Sequence, residues 1–250
     1  MPDVLSALPD IGGLIWLFGA VCVAGVVRGF SGFGSGMILM AVASSVLNPV
    51  SAVLFVLMAE ILGPLPNLKS ALREGARRDV AYLLGGAILT MPIGIYFLAH
   101  MSAEVFGWIV SVCVLVLLFV LMSGWRFKGV LNFRLTLATG ALGGFFCGFA
   151  GIPGPPVILL YMSSRLPIAV IRANFLLYLM AMDLIMIVIF WGSGLLIWQV
   201  MVLGLLAGIP NVVANFVGAR FFNPDAETVF RRVAYLIIAT SAIIGLPFWS

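Results

Sequence analysis

The sequence predicts an all-α integral membrane protein. Two five-element repeats of inverted orientation are expected, each opening with a Gly/Pro-broken helix pair. Three observations predict this. First, 63% of the 250 residues are hydrophobic and only 9% are charged, against about 25% charge in an ordinary soluble domain. So few charges cannot cover a water-facing surface. Second, the apolar runs are long and do not alternate in the two-residue pattern of a barrel strand, so they read as helices that satisfy their own backbone in lipid. Third, Gly25, Gly29 and Gly32 match Gly144, Gly148 and Gly151 at one constant offset, with Pro92 falling close to Pro210. A duplication follows, with 1–125 as the first repeat and 126–250 as the second, together one membrane transport domain.

A bilayer core of about 30 Å needs roughly 20 apolar residues per helix. The apolar segments are 11–29, 36–47, 51–67, 80–99, 104–124, 135–147, 155–164, 171–191, 197–218 and 228–248. Two pairs among them, 11–29 with 36–47 and 135–147 with 155–164, are joined by glycine-rich breaks; the other six are long enough to span. The start, MPDVLSALPD, has no Lys or Arg ahead of the first apolar stretch, so it is not read as a secretory signal and the first span is expected to stay. Basic residues cluster at Lys69–Arg78, Arg126–Arg134, Arg165–Arg172 and Arg220–Arg232, while the loops near 48–50, 100–103 and 192–196 have none. The positive-inside rule places the four clusters in the cytoplasm and both termini outside, whether each short pair crosses fully or re-enters. Trp16, Trp108, Trp125, Trp191 and Trp198 fall near helix ends, where interfacial tryptophans belong.

The breaks read Gly29-Phe30-Ser31-Gly32-Phe33-Gly34-Ser35-Gly36 and Gly148-Phe149-Ala150-Gly151-Ile152-Pro153-Gly154-Pro155-Pro156. Glycine permits positive φ and close approach, and proline removes a donor and stops a helix. Amides freed at a half-helix N-terminus attract anions, and unwound backbone is tolerated in a membrane only where it is buried or lines a cavity. The residues expected to hold substrate are therefore Arg28, Ser31, Gly32, Phe33, Gly34 and Ser35 in the first half, and Gly151, Ile152, Pro153, Gly154 and Pro155 in the second. The bland alternative is that the glycines only allow tight helix packing. Neither break is a phosphate loop, since no strand precedes it and no P-loop lysine follows.

Arg28 and Glu60 are the only charges between Ile11 and Leu68. Each costs about 2.5–3.5 kcal/mol at mid-membrane on insertion scales. Arg28 would neutralise an anion or snorkel to the interface. Glu60 and Asp183 occupy similar places in the two halves and are the candidates for proton coupling, with an Arg28–Glu60 structural pair as the alternative. Asn211 and Asn215 share one helix face after Pro210 and join the substrate-binding candidates. Asn67, Tyr161, Arg172 and Asn174 are secondary polar candidates. Cys147 reads as a small packing residue and His100 as solvated at a loop end. With Cys22, Cys113 and Cys147 far apart and one histidine, no metal and no other cofactor is expected. The expected partners are a small anion and the lipid bilayer, with no nucleic acid; a homo-oligomer is compatible with the pattern.

On these breaks, the basic loop Lys69–Asp79 and the following Gly85-Gly86, the chain resembles the TauE/SafE family, the sulfite exporter-like or TSUP transporters, over nearly its whole length. The resemblance implies a bacterial cytoplasmic-membrane permease for sulfite, sulfoacetate or other sulfonates, or thiosulfate, with the glycine-rich segments as its substrate site. An anion channel or a transporter of a non-sulfur organic anion is the alternative. An intramembrane enzyme would need a catalytic constellation that one histidine does not supply.

Overall fold

A computed structural model describes residues 9–123, 132–162, 164, 166–221 and 227–247. Asp3, Trp125, Arg126, Lys128, Arg165, the boundary between the two halves and both chain ends lie outside the described residues. The helices are α1 Ile11–Ser31, α2 Ser35–Val46, α3 Pro49–Glu60, α4 Leu68–Glu74, α5 Arg77–Ala99, α6 Ala103–Met122, α7 Phe133–Ala150, α8 Gly154–Met162, α9 Ile168–Gly192, α10 Trp198–Phe221 and α11 Glu227–Ile244. Six of them are long and apolar enough to cross a membrane: α1, α5, α6, α7, α9 and α10.

Among the described residues the helices differ from the expected ones at three places. The segment 51–67 does not run on as one helix: α3 stops at Glu60, and the chain bends by 43° before Leu65–Glu74. Gly63 and Pro64 lie in that bend, and Pro66 sits in the first turn after it, Leu65–Asn67, where a missing N–H is tolerated. The last helix, α11 Glu227–Ile244, covers most of the expected segment 228–248. Conversely, α1 and α7 run further than expected, through Gly29 and Gly148. Glycine costs helix propensity, and packing against a second backbone offsets that cost here.

The described residues form two compact units that interleave in sequence. One takes Met1–Gly63, Met101–Met122 and Ile197–Ser250; the other takes Pro64–His100 and Ser123–Leu196. Each unit therefore draws helices from both halves of the chain.

In the first unit α1 packs along α10 through small residues. A Cβ at Gly25 would lie 2.6 Å from the Asn211 carbonyl, one at Gly29 would collide with the Asn215 carbonyl, and one at Gly218 with the Val26 carbonyl. Partner numbers rise together, so the helices run parallel. Such small-residue seams let backbones approach where lipid supplies no hydrophobic drive for association. The hairpin of α2 and α3 is buried on all sides, from Met37 to Ser44 and from Ser51 to Ala59. A helix apolar all round belongs inside. Asp10 caps α1 by accepting from the Gly13 amide at 2.8 Å, and Asn48 caps α3 by accepting from Ser51 at 2.9 Å.

In the second unit α5 packs along α7 in the same parallel sense. Gly144 and Gly148 meet Ala87 and Met91, and Gly94 meets the Phe145 carbonyl. Thr90 donates across this seam to the Ala141 carbonyl at 2.6 Å. The correspondence of the two seams sets Gly94 against Gly218 and Thr90 against Ala214. Pro92 and Pro210, both inside helices, do not then fall at matching places. Leu89, Phe119, Leu184, Phe216 and Leu236 are exposed, as an apolar surroundings requires. Trp16, Trp191 and Trp198 are exposed near helix ends, in keeping with an interfacial belt. His100 is exposed, with Nδ1 2.8 Å from the Tyr96 carbonyl.

Candidate functional site

The glycines divide by role. Gly25, Gly29, Gly144 and Gly148 form the packing seams. The breaks belong to Gly32, Gly34 and Gly151, with φ of 79°, 93° and 64°. Side chains with a Cβ adopt that region at a cost of about 1–2 kcal/mol.

In the first unit α1 ends when Gly32 turns left-handed and its amide donates to the Arg28 carbonyl at 2.8 Å. The Ser31 hydroxyl lies 2.6 Å from the Val27 carbonyl and 2.8 Å from the Phe33 carbonyl, which staples the turn. Phe33 stacks at a tilt on Tyr235, centroids 6.1 Å apart, and Gly34 leaves room for Ile238. The chain doubles back across this turn: the Cβ position of Gly34 lies 4.0 Å from Val27, a full turn inside the end of α1. The N-terminus of α2 is thus inset, with Ser35 buried at its first position. No side chain caps it. Its first turn carries amides without an intrahelical partner, and the helix dipole makes that place attractive to an anion.

Beside it, Arg28 Nη1 lies 3.8 Å from Glu60 Oε2, with the two side chains 18% and 21% exposed. This pair joins the last turns of α1 and α3. Two absent side chains leave it room. A Cβ at Gly36 would sit 3.5 Å from Glu60 Oε2, and one at Gly63 would sit 3.2 Å from Arg28 Nη1. The other Glu60 oxygen, Oε1, is buried without a hydrogen-bond partner. Asn211 is 2% exposed and its Nδ2 also lacks a partner. Asn215 is half-buried on the same seam. The structure therefore brings Arg28, Ser31, Gly32, Phe33, Gly34, Ser35 and Glu60 together around one turn. A wide-mouthed depression lined by Pro9, Asp10, Trp16 and Ser45 lies at the opposite end of α1, away from these groups.

In the second unit α7 ends in the same way. The Gly151 amide donates to the Cys147 carbonyl at 2.8 Å and the Ile152 amide to Phe146 at 3.3 Å. The fold-back is deeper here, since the Pro153 carbonyl lies 3.2 Å from the Cβ position of Gly143, about two turns inside the end of α7. Pro155 and Ile152 are buried, and Gly154 packs on Phe175. Pro155 and Pro156 occupy the first turn of α8 and carry no N–H, so this N-terminus offers fewer free amides than α2.

Glu60 closes α3, whereas Asp183 lies well inside α9; Tyr178 follows Pro167 by the same interval as Glu60 follows Pro49. Cys147 holds the place of Arg28 at the offset that relates Gly32 to Gly151, and packs its sulfur 3.7 Å from that of Met186. At that same offset Glu60 falls on Leu179, one residue past Tyr178. Tyr178, Gly36, Gly63 and Gly143 were outside the sequence-based candidates. The spacing from the two prolines was the available signal for Tyr178.

Long apolar helices together with two fold-back breaks define a multi-pass membrane protein of the discontinuous-helix kind, an architecture on which secondary transporters are built. The family model described as Sulfite exporter TauE/SafE matches residues 17–244. The chain belongs to the TauE/SafE family of membrane transporters. Comparison with curated proteins and with solved structures found no match in either.

Proposed function

We propose that this protein is a secondary transporter of a small sulfur-containing anion, such as sulfite, a sulfonate or thiosulfate, across the bacterial cytoplasmic membrane. The observation that carries this reading is the uncapped, inset N-terminus of α2 beside the Arg28–Glu60 pair at 3.8 Å. Glu60 Oε2 lies against both the Arg28 guanidinium and the first turn of α2, and free amides and a guanidinium each favour negative charge. The family's description as sulfite exporters supports sulfur chemistry. In the first unit the substrate-binding residues of this reading are Arg28, Gly32, Phe33, Gly34 and Ser35, with Ser31 holding the turn and Asn211 and Asn215 on the α10 seam; in the second unit, taken by itself, they are Gly151, Ile152, Pro153, Gly154 and Pro155. Residues 1–125 and 126–250 are two inverted repeats in this reading, with the basic loops in the cytoplasm and both termini outside.

Coupling follows from competition for Arg28. An arriving anion takes the guanidinium from Glu60, and a proton on Glu60 releases it, so anion and proton favour each other's binding. Asp183 is the second carrier in this scheme. The test is uptake into liposomes from purified protein, with sulfite, thiosulfate, sulfoacetate and taurine against carboxylate controls. Saturable, gradient-dependent uptake of the sulfur anions supports the reading. Non-saturating flux indicates a channel, and preference for the carboxylates indicates an organic-anion carrier.

A further inference from the structure

The second unit holds a set of buried polar groups outside the substrate-binding residues proposed above, two of them, Tyr161 and Asn174, secondary candidates in the sequence. Tyr161 on α8 is 1% exposed, and Tyr178 and Asn174 on α9 are 0% exposed. The Tyr161 hydroxyl, the Tyr178 hydroxyl and the Asn174 Nδ2 all lack a hydrogen-bond partner. Asn174 and Tyr178 lie one turn apart on one face of α9, and Tyr161 on α8 is within electrostatic reach of both, although its approach to Asn174 falls short of a hydrogen bond. Burying such a group unpaired costs about 1–3 kcal/mol, so three together call for an explanation.

Each free group can donate a hydrogen bond, the two phenols can also accept one, and the Asp79 carboxylate lies within electrostatic reach of Tyr161. Asn174 has already spent its acceptor, since Oδ1 accepts from the Ala76 amide at 2.7 Å. The cluster also adjoins the break. The Tyr178 hydroxyl and the Pro153 carbonyl converge on the space left by Gly143, where a Cβ would collide with the phenol oxygen. This is the place where the prolines strip α8 of amides.

We propose that Tyr161, Tyr178 and Asn174 form an oxyanion-binding subsite behind the second break, in which side-chain donors replace the amides and the arginine of the first. The ligand class is a small oxyanion such as sulfite or a sulfonate, and the Pro153 carbonyl adds an acceptor for a ligand O–H. The inference rests on the anion-transport reading above and adds to it a second, uncharged station.

The test uses the full-length protein in detergent, titrated calorimetrically with sodium sulfite and sodium methanesulfonate, together with unliganded thermal unfolding. The variants are Tyr161→Phe, Tyr178→Phe and the double change, which remove only the hydroxyls. The subsite predicts that each single variant weakens oxyanion affinity about tenfold or more. It predicts an unliganded melting temperature equal to or above that of the wild type, because no existing hydrogen bond is lost. Unchanged affinity in the double variant overturns the subsite, and so does a loss of affinity that merely follows a fall in melting temperature. Wild-type protein that binds neither oxyanion overturns the transport reading as well. Binding that is sensitive to Arg28→Gln yet indifferent to both tyrosine changes overturns the subsite alone.

Discussion

At the scale of single residues, Arg28 is the side chain on which most depends. It is pinned between the carbonyl-capped end of α1 and the Glu60 carboxylate. Arg28→Gln is expected to weaken anion binding about tenfold or more, the worth of a charge-assisted hydrogen bond, as read by calorimetric titration. It also leaves Glu60 without its cation, so the melting temperature falls; Arg28→Gln/Glu60→Gln restores much of that loss without restoring affinity. Glu60→Gln alone is expected to flatten the pH dependence of anion flux in liposomes, and Asp183→Asn to do the same if it is the second carrier. Unchanged pH profiles in both would remove them from the coupling scheme. Gly32 isolates conformation from packing, since a Cβ there meets nothing within 4 Å yet φ is 79°. Gly32→Ala should therefore lower stability by about 1–2 kcal/mol, measured by chemical or thermal unfolding, through backbone strain alone.

At the scale of elements, the two parallel seams α1–α10 and α5–α7 position the breaks. Gly29→Leu and Gly148→Leu put side chains into facing backbone, and the expected outcome is loss of folded protein on size-exclusion chromatography. Gly36→Ala should fold normally, because its Cβ sits 3.5 Å from Glu60 Oε2 in ordinary contact. Much of this was legible in the sequence: apolar runs gave the helices, and the paired glycine motifs located both turns. Three things were not. Gly29 and Gly148 looked like parts of the breaks because a sequence does not show which glycines face another backbone. The bend after Glu60 was hidden by apolar residues on both sides of Gly63-Pro64. Tyr178 was missed because an apolar helix gives no sign that a phenol is buried without a partner, whereas Arg28 and Glu60 stood out as isolated charges.

At the scale of the whole molecule, each compact unit draws helices from both halves of the chain. The α1 seam needs α10, and the α7 seam needs α5, so neither half carries its own partners. Residues 1–125 or 126–250 expressed alone should therefore be degraded, while co-expression should recover folded protein, as read by fluorescence-detected gel filtration. Reporter fusions should place the Lys69–Arg78 loop in the cytoplasm and the C-terminus outside. The measurement that bears most directly on the central claim is sulfite titration of purified wild type against the charge-neutral Arg28→Gln/Glu60→Gln variant, both shown to be folded. Recognition at the inset end of α2 predicts saturable binding by the wild type and at least about a tenfold loss in the variant. Equal affinity in the two proteins would contradict it.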